Sequence, residues 1–217
     1  MSKKILVSIA ALAIWIIPLQ AQTKFAFNIG GGVSTPLNPT GAYTGLSGNF
    51  DVGAGMNLDK KNSIMGEFLW SGLPGSVFTL HPVDSPTGSI NLYSLGVNYR
   101  HHIDSVKGSP FGVYAIAGGG WYYRYSSIDK NYTVPPGTAC APYWGYWGYG
   151  CDPAGTVVSQ TVAYRGRSSG GLNAGVGFTL RLSDSGFKFY TEARYHYAFT
   201  QGIATTLIPV TFGFRYN

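Results

Sequence analysis

Charge is scarce in this chain: Asp, Glu, Lys and Arg together make up 11% of its 217 residues, where a soluble domain usually carries about 25%. That deficit leaves two kinds of chain, a disordered Gly-rich polymer or a protein whose outer face meets hydrocarbon instead of water. The 15% aromatic content and a regular alternation along the chain argue against the polymer. Cysteine is nearly absent as well, with two residues, too few for a multiply bridged scaffold. After residue 17, Gly, Asn, Ser or a charge interrupts every apolar stretch well short of the about 20 residues a membrane-spanning helix needs. Any membrane reading must therefore rest on strands. Phosphate, zinc and calcium motifs are missing too. The triplets Gly30–Gly32 and Gly118–Gly120 lack the Lys-Ser/Thr or strand–helix context of a nucleotide loop. No cofactor, metal site or catalytic residue is expected. The net charge of +6 is scattered along the chain, so nucleic acid is not an expected partner.

What is present begins with a leader. Lys3 and Lys4 precede an uncharged apolar run from Ile5 to Ile17, followed by Pro18-Leu19-Gln20-Ala21, the layout of a secretory signal. Cleavage is expected after Ala21, which divides the chain into a signal peptide (1–21) and one β domain (22–217).

Read with a period of two, the remainder divides into eight segments with apolar residues in one phase and Gly, polar or charged residues in the other. From Phe187 to Tyr197, Phe187, Phe189, Thr191, Ala193, Tyr195 and Tyr197 oppose Lys188, Tyr190, Glu192, Arg194 and His196. Four titratable groups in one phase make this the most informative segment. Leu172 to Leu180, Phe50 to Leu58, Phe111 to Tyr123 and Ile208 to Tyr216 repeat the pattern. The segments near Lys24–Ser34, Ser63–Trp70 and Ile90–His101 follow it less sharply. No Asp, Glu, Lys or Arg falls in the apolar phase, as a lipid-facing surface requires. Links after the second, fourth and sixth segments are short and polar, such as Asp59-Lys60-Lys61-Asn62. Most others are longer, reaching about 40 residues after the fifth, the asymmetry of periplasmic turns and external loops.

On these segments and links the chain resembles the small outer-membrane β-barrels of the outer-membrane protein A transmembrane-domain or outer-membrane protein X type. The resemblance implies an all-β fold, an eight-stranded antiparallel up-and-down barrel in the bacterial outer membrane. Its implied partners are membrane lipid and lipopolysaccharide, and the barrel-assembly machinery that reads a C-terminal aromatic; here Tyr216 is next to last. A soluble lipocalin-like barrel is the structural competitor, but its outer phase would carry more charge.

Asp51, Glu67, Arg100, Arg124, Arg181, Glu192, Arg194 and Arg215 fall in the inward phase. They can satisfy one another as ion pairs in a filled interior, or act as a gate in a narrow porin-like channel for small solutes. The longest link holds Cys140 and Cys151, whose pairing an oxidising envelope permits, with Tyr143, Trp144, Tyr146, Trp147 and Tyr149 between them. Rings on such a loop suit an extracellular ligand, by stacking on sugars or entering a partner's pocket, or else pack on neighbouring loops. Trp70, Tyr99, Trp121, Tyr122, Tyr123, Tyr125, Tyr195 and Tyr197 fall near strand ends and are expected as interface anchors. The His and Ser spaced two apart on one strand, as in lipid A deacylases, are not found around His81, His101, His102 or His196. The expected role is non-enzymatic, structural or adhesive through the external loops.

Overall fold

A computed structural model describes residues 25–75, 87–103, 109–133, 141–145, 148–152, 157–182 and 186–216. In chain order the strands are β1 (Phe25–Pro36), β2 (Ser47–Asn57), β3 (Asn62–Gly75), β4 (Thr87–Ile103), β5 (Phe111–Thr133), β6 (Ala141–Gly145), β7 (Gly148–Asp152), β8 (Val157–Arg181), β9 (Phe187–Ala198) and β10 (Thr205–Tyr216). Eight of them close into a barrel in the order β1-β10-β9-β8-β5-β4-β3-β2, and β6 with β7 forms a separate two-stranded sheet. Every pairing is antiparallel, and β1 against β10 closes the ring with Phe27 opposite Tyr216 and Pro36 opposite Leu207. The eight alternating sequence segments are the eight barrel strands.

Alternation decides which side chains face which way. Phe25, Phe27, Ile29 and Val33 of β1, Leu95 and Val97 of β4, Val176 and Phe178 of β8, and Phe212 and Phe214 of β10 lie on the outside. Over the height at which all eight strands are paired, no Asp, Glu, Lys or Arg joins them on the barrel's outer phase among the described residues; Asp129, higher on β5, is the first charge in that phase. Aromatic residues gather toward both ends of this band. At one end Trp121 stacks on Tyr123 at 5.7 Å, and Tyr123 on Tyr93 at 6.3 Å; at the other Phe187 meets Tyr216 at 5.2 Å. Tyr122 departs from the expected belt. Its neighbours Trp121 and Tyr123 point out, so the pleat turns Tyr122 inward, where it is 2% exposed and hydrogen bonds His196 Nδ1 at 2.9 Å.

The long link after the fifth segment is largely β-structure. β5 and β8 stay paired from Phe111 opposite Leu180 up to Thr133 opposite Val157, whereas β9 covers β8 only from Gly171 to Arg181. The β5–β8 hairpin therefore stands above the barrel as a wall, joined on one side by β4 up to Thr87 opposite Asp129. At the other end, the tight Asp59–Asn62 turn is tied by its own side chain. Asn62 Nδ2 donates to Asp59 Oδ2 at 2.6 Å, and the Lys61 and Asn62 amides donate to Oδ1 at 2.6 and 2.8 Å. These donors, the Asn62 side chain foremost, hold the Asp59 carboxyl below its usual pKa of 3.8. The turn's contribution is therefore present above pH 4 and lost as pH falls through the lowered value. An NMR titration is expected to show the Asp59 midpoint below that of Asp59 in the urea-unfolded chain.

Inward glycines make room for large inward rings. A Cβ on Gly177 would collide with the Tyr114 ring, and one on Gly171 would come within 2.6 Å of Tyr122 Cε2. Gly177→Ala is expected to destabilise the barrel by about 1–3 kcal/mol through overpacking. Gly48→Ala, where nothing lies within 4 Å of the added atom, is expected to be neutral by the same urea-unfolding measurement.

Candidate functional site

The barrel interior is filled in two layers. The lower one is a charged cluster built from β2, β3, β4, β9 and β10. Arg194 sits at its centre, with Nη2 3.3 Å from Asp51 Oδ2, Nη1 2.9 Å from Glu67 Oε2 and Nε 2.5 Å from Glu192 Oε1. Arg100 Nη2 donates to Glu67 Oε1 and lies 3.5 Å from Glu192 Oε2. Arg215 Nη2 also lies 3.5 Å from Glu192 Oε2. None of these six residues is more than 3% exposed. Three guanidiniums and three carboxylates make the cluster formally neutral, which is how so many charges tolerate burial.

Neutral partners complete it. Asn28 Nδ2 donates to Asp51 Oδ1 at 2.6 Å and Tyr190 Oη to the same oxygen at 3.1 Å. Asn98 Nδ2 donates to Glu67 Oε2, and Tyr114 Oη to Glu192 Oε2 at 2.6 Å. The Arg215 guanidinium lies 4.7 Å from the ring centres of both Tyr114 and Tyr190, a cation–π sandwich. Beside the cluster, a cavity of about 10 Å³ is lined in part by Glu67, Asn98, Arg194 and His196, room for about one water.

The upper layer is apolar. Leu73, Leu92, Tyr122, Ala198 and Leu207 form a buried cluster with Ile90 packed against it. An ion crossing the barrel would have to displace these side chains, because a charge in such surroundings has no partner. The alternating pattern conceals this layer, since Leu73, Leu92 and Leu207 are apolar residues in the otherwise polar phase. Asn28, Asn98 and Tyr114 also escape sequence reading, although each shares the phase of the charges it caps.

Of the inward residues expected from sequence, Asp51, Glu67, Arg100, Glu192, Arg194 and Arg215 come together; Arg124 and Arg181 do not. Arg124 lies above the apolar layer, half-buried, with Nη1 donating to Thr205 Oγ1 at 3.2 Å. Arg181 shares the inward phase but belongs to the last pair of β8, opposite Lys188, and is exposed at the barrel's end. Phase alone carries no information about height, and both residues lie outside the middle of the barrel. The aromatic segment forms the β6–β7 hairpin, with Tyr143 opposite Gly150 and Trp144 opposite Tyr149. Cys140, Tyr146 and Trp147 lie outside the described residues, and the Cys140–Cys151 pairing with them. So do residues 1–24, which include the expected signal peptide (1–21).

No protein-family model and no curated protein matches the sequence. In fold, the chain is similar to Neisserial surface protein A, at 13% identity over 88% of this chain and 96% of that one, with a TM-score of 0.51. The fold is that of the small outer-membrane β-barrels. Two further barrels match more loosely. The attachment invasion locus protein Ail of Yersinia pestis does so at 14% identity over 90% and 100% of the two chains, with a TM-score of 0.48. The N-terminal domain of Pseudomonas aeruginosa OprF does so at 11% identity over 89% and 98%, with a TM-score of 0.45. Within that fold this chain holds a formally neutral charge cluster, a leucine-rich layer above it, and a raised β5–β8 wall.

Proposed function

We propose that this is a non-enzymatic bacterial outer-membrane protein whose barrel anchors an external contact surface. Residues 1–21 act as its export signal, and both ends of the barrel domain lie in the periplasm. The observation that carries this reading is the pairing of an uncharged apolar exterior with an interior closed by two different layers. A contiguous apolar belt of this extent is unsuited to water, and a closed barrel satisfies its backbone in lipid. Membrane lipid and lipopolysaccharide are then its surroundings, and the assembly machinery its first partner. The β6–β7 segment, stapled by Cys140 and Cys151, offers Tyr143, Trp144, Tyr146, Trp147 and Tyr149 to an extracellular ligand.

A catalytic role finds no support in His196, which is buried against Tyr122 in the interior, away from any lipid substrate. The channel alternative has one feature in its favour, the ring of interior charges, and the leucine-rich layer against it. Recording in planar bilayers separates the two. The anchor reading expects a silent barrel, with no discrete steps for the protein or for Leu92→Ala. Steps of constant size that change on replacing Arg194 or Glu192 would make the protein a narrow porin-like channel instead.

A further inference from the structure

Above the leucine-rich layer the barrel mouth opens into a cup of about 410 Å³, within the about 300–1,000 Å³ typical of small-molecule sites. Leu73 and Ile90 line its base, Tyr43 and Ile203 stand at its sides, and Arg124 is the charged residue of the described lining. Hydrogen bonds from the β1–β2 connection to the β9–β10 connection and the start of β10, and within that second segment, hold the walls in place. Thr40 Oγ1 accepts from the Thr206 amide at 2.8 Å and donates to Ala204 O at 3.3 Å. Thr200 Oγ1 donates to Ile203 O at 2.6 Å and lies 3.0 Å from Thr205 Oγ1. A ligand entering such a cup has little loop ordering to offset.

Among the described residues, the cup's lining carries charge of one sign. Arg124 carries five N–H donors, and among the described residues one of them is engaged, by Thr205. Arg167 lies directly across the β5–β8 ladder from Arg124, and Arg165 follows two residues along, opposite Ser126. Arg167 Nη1 donates to Gln201 Oε1 at 2.7 Å, which brings it to the cup's rim. Asp129, farther along β5, already accepts from Thr161 at 2.6 Å and from Ser127 at 3.3 Å. An apolar base beneath adjacent guanidiniums with no carboxylate in the described lining suits one kind of molecule. The geometry points to a binding site for an amphiphilic anion, with an aromatic or short aliphatic body on Leu73 and Ile90 and a carboxylate-like head on Arg124, flanked by Arg167. This site is distinct from the aromatic hairpin and needs no partner there.

The test uses the full protein in phospholipid nanodiscs, titrated calorimetrically with 2-naphthoate and with its neutral analogue 2-naphthamide, against empty nanodiscs. The expected result is saturable 2-naphthoate binding absent from empty discs, with the amide at least tenfold weaker. Arg124→Met and Ile203→Glu are each expected to weaken 2-naphthoate at least tenfold while keeping the heat-shifted gel band of the folded barrel. Ile203 is exposed on a loop, so its variant keeps the test decisive if Arg124→Met does not fold. Absence of saturable binding, equal binding of acid and amide, or unchanged binding in Ile203→Glu would overturn the site. Failure of the membrane reading would register separately, as loss of the folded band in the unmodified protein.

Discussion

Arg194→Met is expected to cost the barrel about 3–5 kcal/mol, the range for removing one partner from a buried ion cluster. The reason lies in the distribution of contacts. Arg194 reaches all three carboxylates, and among the described residues it is the cation paired with Asp51. Without it, Glu67 retains Arg100 and Glu192 retains Arg100 and Arg215. Asp51 is left with the neutral donors Asn28 and Tyr190. The cluster then carries an uncompensated negative charge in a site closed to water. Adding Asp51→Asn should therefore recover part of the loss, so the double variant is more stable than Arg194→Met alone by about 1 kcal/mol or more, within the usual coupling of contacting residues. Equilibrium unfolding in urea with phospholipid vesicles measures both. A cost for Arg194→Met below about 1 kcal/mol would mean that the cluster is wet and contributes little to holding the barrel closed.

Val97→Arg is expected to cost about 2–4 kcal/mol in the same assay, the penalty for a cation on the lipid-facing midplane of a barrel. Val97 is 60% exposed and sits on the outer phase of β4 between Tyr93 and Tyr99, opposite Gly66 and Gly119 on the flanking strands. In water such a change at an exposed strand position would be nearly neutral. Val162→Arg supplies the contrast. That residue is 50% exposed on the part of β8 that rises above its pairing with β9, and its replacement should be close to neutral. Equal costs at the two positions would contradict a lipid-facing band that ends below the wall.

Sequence alone makes the strands of this barrel legible, because each has a side that cannot bear charge. The run from Phe187 to Tyr197 is the clearest, with Lys188, Glu192, Arg194 and His196 confined to one phase. The same phase identifies the members of the charged cluster but not their pairing. Asp51 on β2 meets Arg194 on β9 only because β1 and β10 close the ring, a contact spanning 143 residues of sequence. The raised hairpin is hidden for a different reason. From Thr161 to Gly166 of β8 every residue is exposed, and a ladder with water on both faces leaves no alternation to read. The leucine-rich layer is hidden because Leu73, Leu92 and Leu207 occupy positions that the pattern reserves for polar residues. Tyr122, set between two outward aromatics, shows that phase outweighs composition in deciding which way a side chain faces.

The proposed function requires that lipid, not water, cover the barrel's exterior. It is tested most directly by diluting the urea-unfolded protein into buffer with and without phospholipid vesicles, and comparing unboiled with boiled samples on SDS gels. A lipid-covered exterior predicts a heat-shifted, β-rich folded form with vesicles and aggregation without them. A monomeric, cooperatively folded protein in buffer free of lipid and detergent would contradict it.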